Sequence, residues 1–450
     1  MGKWIANVLL LAVPGIAGGA ELSVQEALLR AKPAVALVVS EVASEVMVRC
    51  PTGDQQRVIP TPFRETGTGW FIAPNGWMIT NAHVVSPAHL PPKAIAEQQV
   101  EDGVRRACGD IGQQALSTVI ARAQVKLNPS ISVILSNGIR LPATVVRYSP
   151  PVAGKGMSGR DLALLRLDAA DMPSLTLGDS SNAKIGDKLH ILGFPGVVVS
   201  HELLSASAQV EASVTNGAIS GFKQDIANQP VIQTDAPAAW GDSGGPAVGS
   251  QGEVLGVLTF VTLESGGQGG IVQGFNFVIP SAAIREFLKS TEVRLDETSR
   301  FNVAWHAGLA DYFAGNYSRA EKHFAEANRL LPELPDVRRM TAEAKNPPAR
   351  SFPWRTVATV LTVTVLGAGG GLLGMRWKRN RFRIRPSEVM RLIEISAEQP
   401  PIILDVRERA TYAKSPVKIP ASRHVTPEEL QAGTSALDIE ASRTVVAYCT

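Results

Sequence analysis

A serine flanked by glycines is the residue in this sequence most suited to act as a nucleophile. Ser243 lies at the centre of the segment 240–246, which reads WGDSGGP. Glycine allows tight turns and close approach of the backbone to a ligand, so the backbone amides of Gly241 and Ser243 can point at one position. A serine hydroxyl alone is a weak nucleophile and needs a general base and a group that orients that base. The segment therefore predicts serine chemistry if a histidine and a carboxylate accompany it.

Two other segments contain a suitable histidine and carboxylate. Residues 67–73 (GTGWFIA) and 77–85 (WMITNAHVV) are strand-like runs joined by a Pro-Asn-Gly turn, and His83 ends the second predicted strand. Asp161 precedes the apolar strand 162–167 (LALLRL). Taken singly, His83 also fits a hydrogen-bonded histidine at a strand end, and Asp161 a solvated strand terminus. The serine segment is far more specific than either.

The order His83, Asp161, Ser243 along the chain, with IQTDA at 232–236, resembles the chymotrypsin-fold peptidases, most closely the HtrA (Deg) branch of bacterial envelope proteases. The resemblance covers roughly residues 30–290 and implies a mainly β, chymotrypsin-like double β-barrel. It also implies that His83 is the general base, that Asp161 orients the imidazole, and that the amides of Gly241 and Ser243 form the oxyanion hole. No cofactor is needed for this chemistry.

The matching triad favours a serine endopeptidase that hydrolyses peptide bonds of unfolded or regulatory proteins. The alternative is a protease-fold protein that binds protein or peptide partners, in the manner of a chaperone, without turnover. No triad position is substituted, which favours the enzyme.

The resemblance also implies a substrate preference. In chymotrypsin-fold enzymes the residue six positions before the nucleophile lies at the base of the pocket for the side chain that precedes the scissile bond. Here this specificity-pocket residue is Pro237, and its neighbours at 236, 238 and 239 are alanines. A buried cation would find no partner there and would be costly. We expect cleavage after small or medium aliphatic residues, unless another acid such as Glu264 reaches the pocket.

The sequence departs from the family pattern after residue 87. About forty residues separate His83 from the next predicted strand at 131–135, and within them apolar residues recur every three or four positions, which predicts helices broken near Gly109. The insertion, residues 87–128, either overhangs the cleft as a lid or packs on the barrel. Family members commonly carry a PDZ module after the protease domain, and nothing here resembles one. A homo-oligomer therefore stays an open alternative.

The N-terminus has the pattern of an export signal. Residues 1–20 contain Lys3, an apolar run and a small-residue end, as in a secretory signal peptide cleaved after Ala20. An uncleaved anchor is the alternative, and both send the following domain out of the cytoplasm. We expect the trypsin-like serine protease domain to span residues 21–290 and to begin with a helix capped by Ser23.

A helical segment is predicted after the protease domain, at residues 295–350. Within 301–332, seven positions match the spacing of one tetratricopeptide (TPR) repeat: Gly308, Gly315, Tyr317, Ala320, Phe324, Ala327 and Pro332. A further helix around 337–344 would extend the segment. It either binds proteins or serves as a helical spacer that rests on the protease.

A single apolar stretch predicts a membrane anchor. Residues 356–375 carry no charge, and six Lys or Arg follow between 376 and 385. Twenty apolar residues span a bilayer, and the basic flank favours a cytoplasmic C-terminal end. We expect a transmembrane helix at 355–376 and a basic juxtamembrane segment at 377–385, in a bacterial inner-membrane protein with a periplasmic protease domain and a cytoplasmic tail. Glycines four residues apart in the helix also permit helix pairing.

The cytoplasmic tail, residues 386–450, resembles the first part of a rhodanese domain, a partial α/β unit. The segment 401–407 (PIILDVR) matches the early strand and acid-x-Arg turn of that family, and 444–449 (TVVAYC) the strand that leads to its reactive cysteine, here Cys449. A rhodanese needs a loop of backbone amides after the cysteine to hold a persulfide. The sequence stops at Thr450, so either it is a fragment or the domain is incomplete, and we expect no sulfur transfer from the residues given.

Charge and histidine placement argue against two other classes of ligand. Without the six basic residues after the apolar stretch, 38 of the 44 Lys and Arg remain against 41 Asp and Glu, so the rest of the chain is slightly acidic. This balance argues against a nucleic-acid partner. The seven histidines are scattered and none has a second ligand at metal-binding spacing, so no metal site is expected.

The two cysteines on the predicted extracytoplasmic side leave two alternatives. Cys50 and Cys108 lie where disulfides persist and could pair, or they could both be free thiols. Cys449 lies across the predicted membrane from both.

Overall fold

The computed structural model describes residues 22–150, 160–263, 271–347, 354–432 and 437–449. The chain divides into two compact units, residues 1–348 and 349–450. The predicted signal peptide at 1–20 and Glu264 lie outside the described residues.

Seven strands form the first sheet of the larger unit. They are β1 (Val35–Arg49), β2 (Gln55–Val58), β3 (Phe63–Ala73), β4 (Trp77–Thr80), β5 (Gln124–Ile134), β6 (Arg140–Ser149) and β7 (Leu162–Leu167). The order is β2-β1-β3-β4-β7-β6-β5, and β5 also pairs with β1, so that six strands close into a barrel. Strand β1 can pair with three strands because it is 15 residues long: β5 lies along one edge, and β3 and then β2 lie along the other.

A second closed barrel follows. Its strands are β8 (Lys188–Gly193), β9 (Ser213–Gln224), β10 (Pro230–Thr234), β11 (Pro246–Val248), β12 (Val254–Leu263) and β13 (Ile271–Pro280). They close in the order β10-β13-β12-β11-β8-β9. Two six-stranded antiparallel barrels in one chain confirm the predicted mainly β, chymotrypsin-like double barrel.

Apolar residues from both barrels pack into one cluster between them. Trp70 and Leu162 of the first barrel share this cluster with Val257 of the second. All three are fully buried, and burial of such side chains contributes roughly 1.5–3 kcal/mol each. The loops that carry the predicted site residues start from strands held by this packing.

Ten helices surround the barrels in the described part of the larger unit. They are α1 (Val24–Ala31), α2 (Ala82–His89), α3 (Lys93–Cys108), α4 (Gln113–Arg122), α5 (Gly196–Val199), α6 (Ala206–Gln209), α7 (Ser281–Leu288), α8 (Arg300–Phe313), α9 (Tyr317–Leu330) and α10 (Pro335–Lys345). Ser23 caps α1, as predicted, because its hydroxyl accepts from the amide of Glu26.

The structure corrects the predicted location of His83. The β3–β4 hairpin forms as expected, with Gly76 at a φ of 84° in its turn, but β4 ends at Thr80. Asn81 occupies the N-cap position of α2, and His83 lies in the first turn of that helix. The run of β-branched residues after His83 looks strand-like, and a run this short does not distinguish a strand from a buried helix.

The insertion after α2 is helical, as predicted. Helices α3 and α4 are separated at Gly109 and Gly112, both with positive φ. Their apolar residues pack on the outer end of β1: Val46, Val48, Val100, Val104, Leu116 and Val119 form one cluster. A disulfide joins Cys50 to Cys108, with 5.5 Å between the Cα atoms. Strand β5 begins at Gln124, so the predicted helical insertion ends earlier than residue 128.

The helical segment packs in the same unit as the barrels. Gly308 of α8 lies against the ring of Phe324 in α9. A Cβ atom at position 308 would lie 2.5 Å from that ring, so only glycine allows this contact between the helices. Phe301, Trp305 and Phe324 share one apolar cluster with Phe71 of the first barrel. The indole Nε1 of Trp305 donates to the carbonyl of Leu29 at 2.8 Å.

The second unit contains one long helix and a small sheet. Its elements are α11 (Trp354–Asn380), α12 (Pro386–Ile395), β14 (Ile402–Asp405), α13 (Arg409–Lys414), β15 (Arg423–His424), α14 (Pro427–Gln431) and β16 (Val445–Tyr448). The strands are parallel in the order β15-β14-β16. Within α11, the stretch Val357–Asn380 is the one described helix that is long and apolar enough to cross a membrane. Cys449, after β16, is exposed and unpaired with another cysteine among the described residues.

Candidate active site

His83 and Asp161 form the centre of the site. The imidazole Nδ1 lies 2.8 Å from Asp161 Oδ2, and the backbone amide of His83 donates to Asp161 Oδ1 at 3.0 Å. One carboxylate therefore holds both the backbone and the ring of the histidine. With Nδ1–H as the donor, Nε2 is left as the basic nitrogen.

Asp161 reaches His83 from an unusual backbone conformation. Its φ is 53°, a left-handed conformation that Asp and Asn tolerate better than other non-glycine residues. The side-chain amide of Asn81 donates to the carbonyl of Asp161 at 2.8 Å and holds this turn at the start of β7. Asp161 is buried, with 7% of its surface exposed. The cap residue of the histidine helix thus also fixes the backbone of Asp161.

Thr259 in β12 connects the carboxylate to the serine. Its hydroxyl donates to Asp161 Oδ2 at 2.7 Å, and its carbonyl accepts from Ser243 Oγ at 3.5 Å. Asp161 Oδ2 therefore accepts from both a ring nitrogen and a hydroxyl. Thr259 is not predicted from the sequence, because its only signal is a hydroxyl within a mostly apolar strand and Thr262 of the same strand shares that signal.

Electrostatics raise the pKa of the His83 imidazole. Burial alone would lower this pKa, but the hydrogen bond and charge of Asp161, with the charge of Glu65, outweigh it. The protonated ring is thereby stabilised, which assists a group that must take up a proton during a reaction.

Ser243 lies close to this pair without a hydrogen bond to His83 among the described residues. Its carbonyl accepts from the amide of Thr68 at 2.8 Å, which ties the serine loop to β3. Catalytic hydrogen bonds are often long or absent in unliganded sites and form on substrate binding.

The carbonyls that precede the two predicted oxyanion-hole amides are both anchored. The amide of Gly196 donates to the Trp240 carbonyl at 2.6 Å, and the amide of Gly245 donates to the Asp242 carbonyl at 2.9 Å. Because a trans peptide is planar, the N–H groups of Gly241 and Ser243 point opposite to these carbonyls. Neither N–H has a hydrogen-bond partner in the part of the chain that the structure describes.

The hydroxyl of Thr68 fixes the same loop from the first barrel. It accepts from the amide of Phe194 at 3.0 Å and donates to the carbonyl of Gly241 at 2.7 Å. Gly241 has a φ of 100°, and a Cβ there would overlap the Phe194 carbonyl, so only glycine fits. The sequence analysis did not find Thr68 either.

Asp242, between the two amides, is a buried carboxyl group. Burial raises its pKa to about 6, although its Oδ2 accepts from the amide of Ala239 at 2.8 Å, which favours the ionised form. It makes no ion pair with a described residue.

Pro237, the predicted specificity-pocket residue, follows the C-terminal end of β10. Pro237 is exposed, and its carbonyl accepts from the hydroxyl of Thr215 at 2.6 Å. Ala236 and Ala238 on either side are buried. Cys449 belongs to the second unit, and the described residues contain no cluster of three or more His, Cys, Asp or Glu able to hold a metal ion.

Two closed six-stranded barrels, with a His–Asp pair and a Gly-Asp-Ser-Gly-Gly loop, define the chymotrypsin-like class of proteins. Comparison with protein families agrees: residues 67–257 match the trypsin-like peptidase domain. This part of the chain has the chymotrypsin-like fold and is similar to the trypsin-like peptidase domain.

The chain is also similar to known serine endoproteases. The chain is 28% identical over 220 residues to a probable periplasmic serine endoprotease DegP-like of Halomonas elongata, and 30% identical over 219 residues to that of Chlamydia pneumoniae. Each match covers 48% of this chain, 33% of the first relative and 32% of the second, so the chain spans about a third of these relatives. The solved structure of HtrA-type protease AlgW with decapeptide is 23% identical, with a TM-score of 0.37 over 60% of this chain and 67% of that one.

Proposed function

We propose that this protein is a membrane-anchored, HtrA-like serine endopeptidase of the bacterial envelope that cleaves unfolded or regulatory proteins. The observation that carries the proposal is the Asp161 carboxylate, which binds both the backbone and the ring of His83 and is linked through Thr259 to Ser243. Three residues that are distant in the sequence, of the types that form a Ser-His-Asp triad, therefore lie in one hydrogen-bond network.

In the proposed reaction, Ser243 Oγ attacks the carbonyl carbon of a peptide bond while His83 Nε2 takes the hydroxyl proton. The amides of Gly241 and Ser243 bind the developing oxyanion, an interaction worth roughly 3–4 kcal/mol per donor in related enzymes. His83 then gives the proton to the leaving amine, which departs, and water hydrolyses the acyl-enzyme by the same steps. Asp161 stabilises the imidazolium and fixes its tautomer.

The anchored loop supports this chemistry. Because the carbonyls of Trp240 and Asp242 are held by Gly196 and Gly245, the two free amides need no rearrangement when charge develops. A loop that had to reorient at each turnover would lose part of this stabilisation.

A fluorophosphonate that reacts with activated serines tests the proposal. Wild-type protein should be labelled at Ser243, as mapped by mass spectrometry, whereas Ser243→Ala and His83→Ala should not be labelled. Ser205→Ala, at an exposed serine that caps α6, is the matched control and should be labelled like wild type. A folded wild-type protein that is labelled elsewhere, or not at all, would contradict the proposal.

We also propose that α11 anchors the protein in the inner membrane, with the peptidase domain in the periplasm and the tail in the cytoplasm. The apolar stretch Val357–Asn380 and the basic residues at 376–385 support this topology. Protease added to intact spheroplasts should digest residues 22–347 and spare 386–449. Digestion of the tail under these conditions would reverse the topology.

A second candidate function is non-catalytic binding of proteins or peptides. The hydrogen bond from Ser243 Oγ to the Thr259 carbonyl, in place of one to His83, favours this alternative. The labelling experiment separates the two: a binding protein would capture an unfolded substrate without acquiring a label on Ser243.

A further inference from the structure

Glu65 is a half-buried carboxylate on β3 beside the candidate active site. It lies opposite Ser40 of β1 in the strand register, so both side chains emerge on one face of the sheet. Ser40 on that face accepts a hydrogen bond from the amide of Ala88 in α2, the histidine helix. Glu65 therefore projects towards α2.

Gly67, two residues further along β3, marks the same direction. A Cβ at Gly67 would lie 2.5 Å from the side chain of Val84, the residue after His83, and 3.1 Å from the carbonyl oxygen of Ser243. Because alternate residues of a strand share a face, Glu65 leaves β3 on the side that carries the histidine and the serine loop.

Glu65 has no salt-bridge partner among the described residues, and the nearby charge that acts on it is that of His83. It makes no ion pair or hydrogen bond with any residue that the structure describes. The neighbouring Arg64 is paired with Glu41 of β1, with its Nη2 2.5 Å from Glu41 Oε2, and projects to the opposite face. Burial raises the pKa of Glu65, the charge of His83 lowers it in part, and the charge of Glu65 in turn raises the pKa of His83.

The reaction geometry assigns this side of the site to the leaving group. In the proposed mechanism the oxyanion is bound at Gly241 and Ser243, and the His83 imidazole gives its proton to the leaving amine. Residues after the scissile bond therefore pass the imidazole, and Glu65 faces them.

We infer that Glu65 is a substrate-recognition residue that binds a Lys or Arg side chain at the first or second position after the scissile bond. The inference rests on the proposed peptidase function and deepens it. An unpaired, partly buried carboxylate at the mouth of a site is stabilised by an incoming cation and disfavours an acidic side chain.

Matched peptides that differ only at these two positions, with Lys, norleucine or Glu, test the inference on the full-length protein. Wild type should cleave the Lys peptide with a kcat/KM about tenfold above the norleucine peptide, a ratio expected for one partly screened charge pair. Glu65→Gln should bring the ratio near one, and Glu65→Lys should invert the preference towards Glu.

Glu41→Gln is the matched control, because Glu41 is an acid of the same sheet that faces away and already has a partner. It should keep the wild-type ratio. Fluorophosphonate labelling of Ser243 is measured in parallel. If Glu65→Gln is labelled and active but keeps the wild-type ratio of kcat/KM between the Lys and norleucine peptides, the inference alone is overturned. If the wild-type protein shows neither labelling nor turnover, the proposed function is overturned and the inference with it.

Discussion

The Asp161 carboxylate shows how one residue can organise a site. It accepts from His83 twice and from Thr259 once, so its position is determined by two barrels rather than by its own strand. Thr259→Val removes the hydroxyl donor at nearly constant volume and leaves Oδ2 with one partner fewer.

We expect Thr259→Val to lower kcat/KM about tenfold, since a hydrogen bond to a charged group contributes roughly 1.5–3 kcal/mol and only part of it is specific to the transition state. Steady-state kinetics on one peptide substrate measures the effect. Thr144→Val, at an exposed threonine of β6, is the control and should match wild type. Equal rates in the two variants would show that Thr259 does not position the carboxylate.

Asp242 gives a prediction on stability and pH. Its pKa is about 6 in the folded protein against an ordinary value of 3.8. Between pH 3.8 and pH 6 the folded protein therefore keeps a proton on Asp242 that the unfolded chain has lost. The folded state therefore loses about 3 kcal/mol from this group as the pH rises from below 4 to above 6. The loss is complete above the folded pKa.

Asp242→Asn should remove this dependence. The free energy of unfolding of the variant minus that of wild type, from urea titrations, should rise by about 3 kcal/mol between pH 3.5 and pH 7. A pH-independent difference would mean that Asp242 is solvated or paired in the folded protein.

Sequence motifs identify the candidate catalytic residues but not the residues that hold them in place. Ser243, His83 and Asp161 are predictable because their types and spacing form a recognisable pattern. Thr68 and Thr259 each share their strand with a second threonine, and their roles depend on partners 126 and 98 residues away in the chain. Nothing local distinguishes them from other strand threonines.

Among the secondary-structure elements, turn and cap residues separate the correct predictions from the wrong ones. The α3–α4 pair is predictable from apolar periodicity. The helix at His83 is wrongly predicted as a strand because β-branched residues follow the histidine. Asn81 at the N-cap was the available signal. Strand β5 is predicted too short because Asn128-Pro129-Ser130, a sequence typical of turns, interrupts its alternating pattern.

The Cys50–Cys108 disulfide holds the helical insertion on β1 and can test whether the insertion acts as a lid. Replacing both cysteines by serine should lower the free energy of unfolding by roughly 2–4 kcal/mol. Because α3 and α4 pack on the outer end of β1, we expect kcat/KM to stay within twofold of wild type.

Thermal unfolding of wild type with and without reductant is the control for the disulfide variant and should show the same loss. A large change in KM without a change in stability would favour the lid.

At the scale of the whole molecule, the helical segment belongs to the same folded unit as the two barrels. Phe301, Trp305 and Phe324 share a core with the first barrel. A chain that ends at residue 292 lacks these three side chains and would expose the apolar surface of the first barrel that they cover. Burial of each large side chain contributes roughly 1.5–3 kcal/mol. We expect this chain to aggregate or unfold, and a chain that ends at 347 to unfold cooperatively in circular dichroism. Equal melting temperatures for the two would mean that α8–α10 are dispensable.

The hydroxyl of Thr68 joins the two barrels at the point where the oxyanion would bind, because Thr68 belongs to the first barrel and both of its partners, Phe194 and Gly241, to the second. A small displacement of one barrel against the other would break these hydrogen bonds without unfolding either barrel. Turnover should therefore be lost at a lower urea concentration than the one that changes the far-ultraviolet circular dichroism spectrum. Thr68→Val should increase the difference between the two concentrations more than Thr68→Ser. Overlapping inactivation and unfolding curves in wild type would show that the barrels separate only when they unfold.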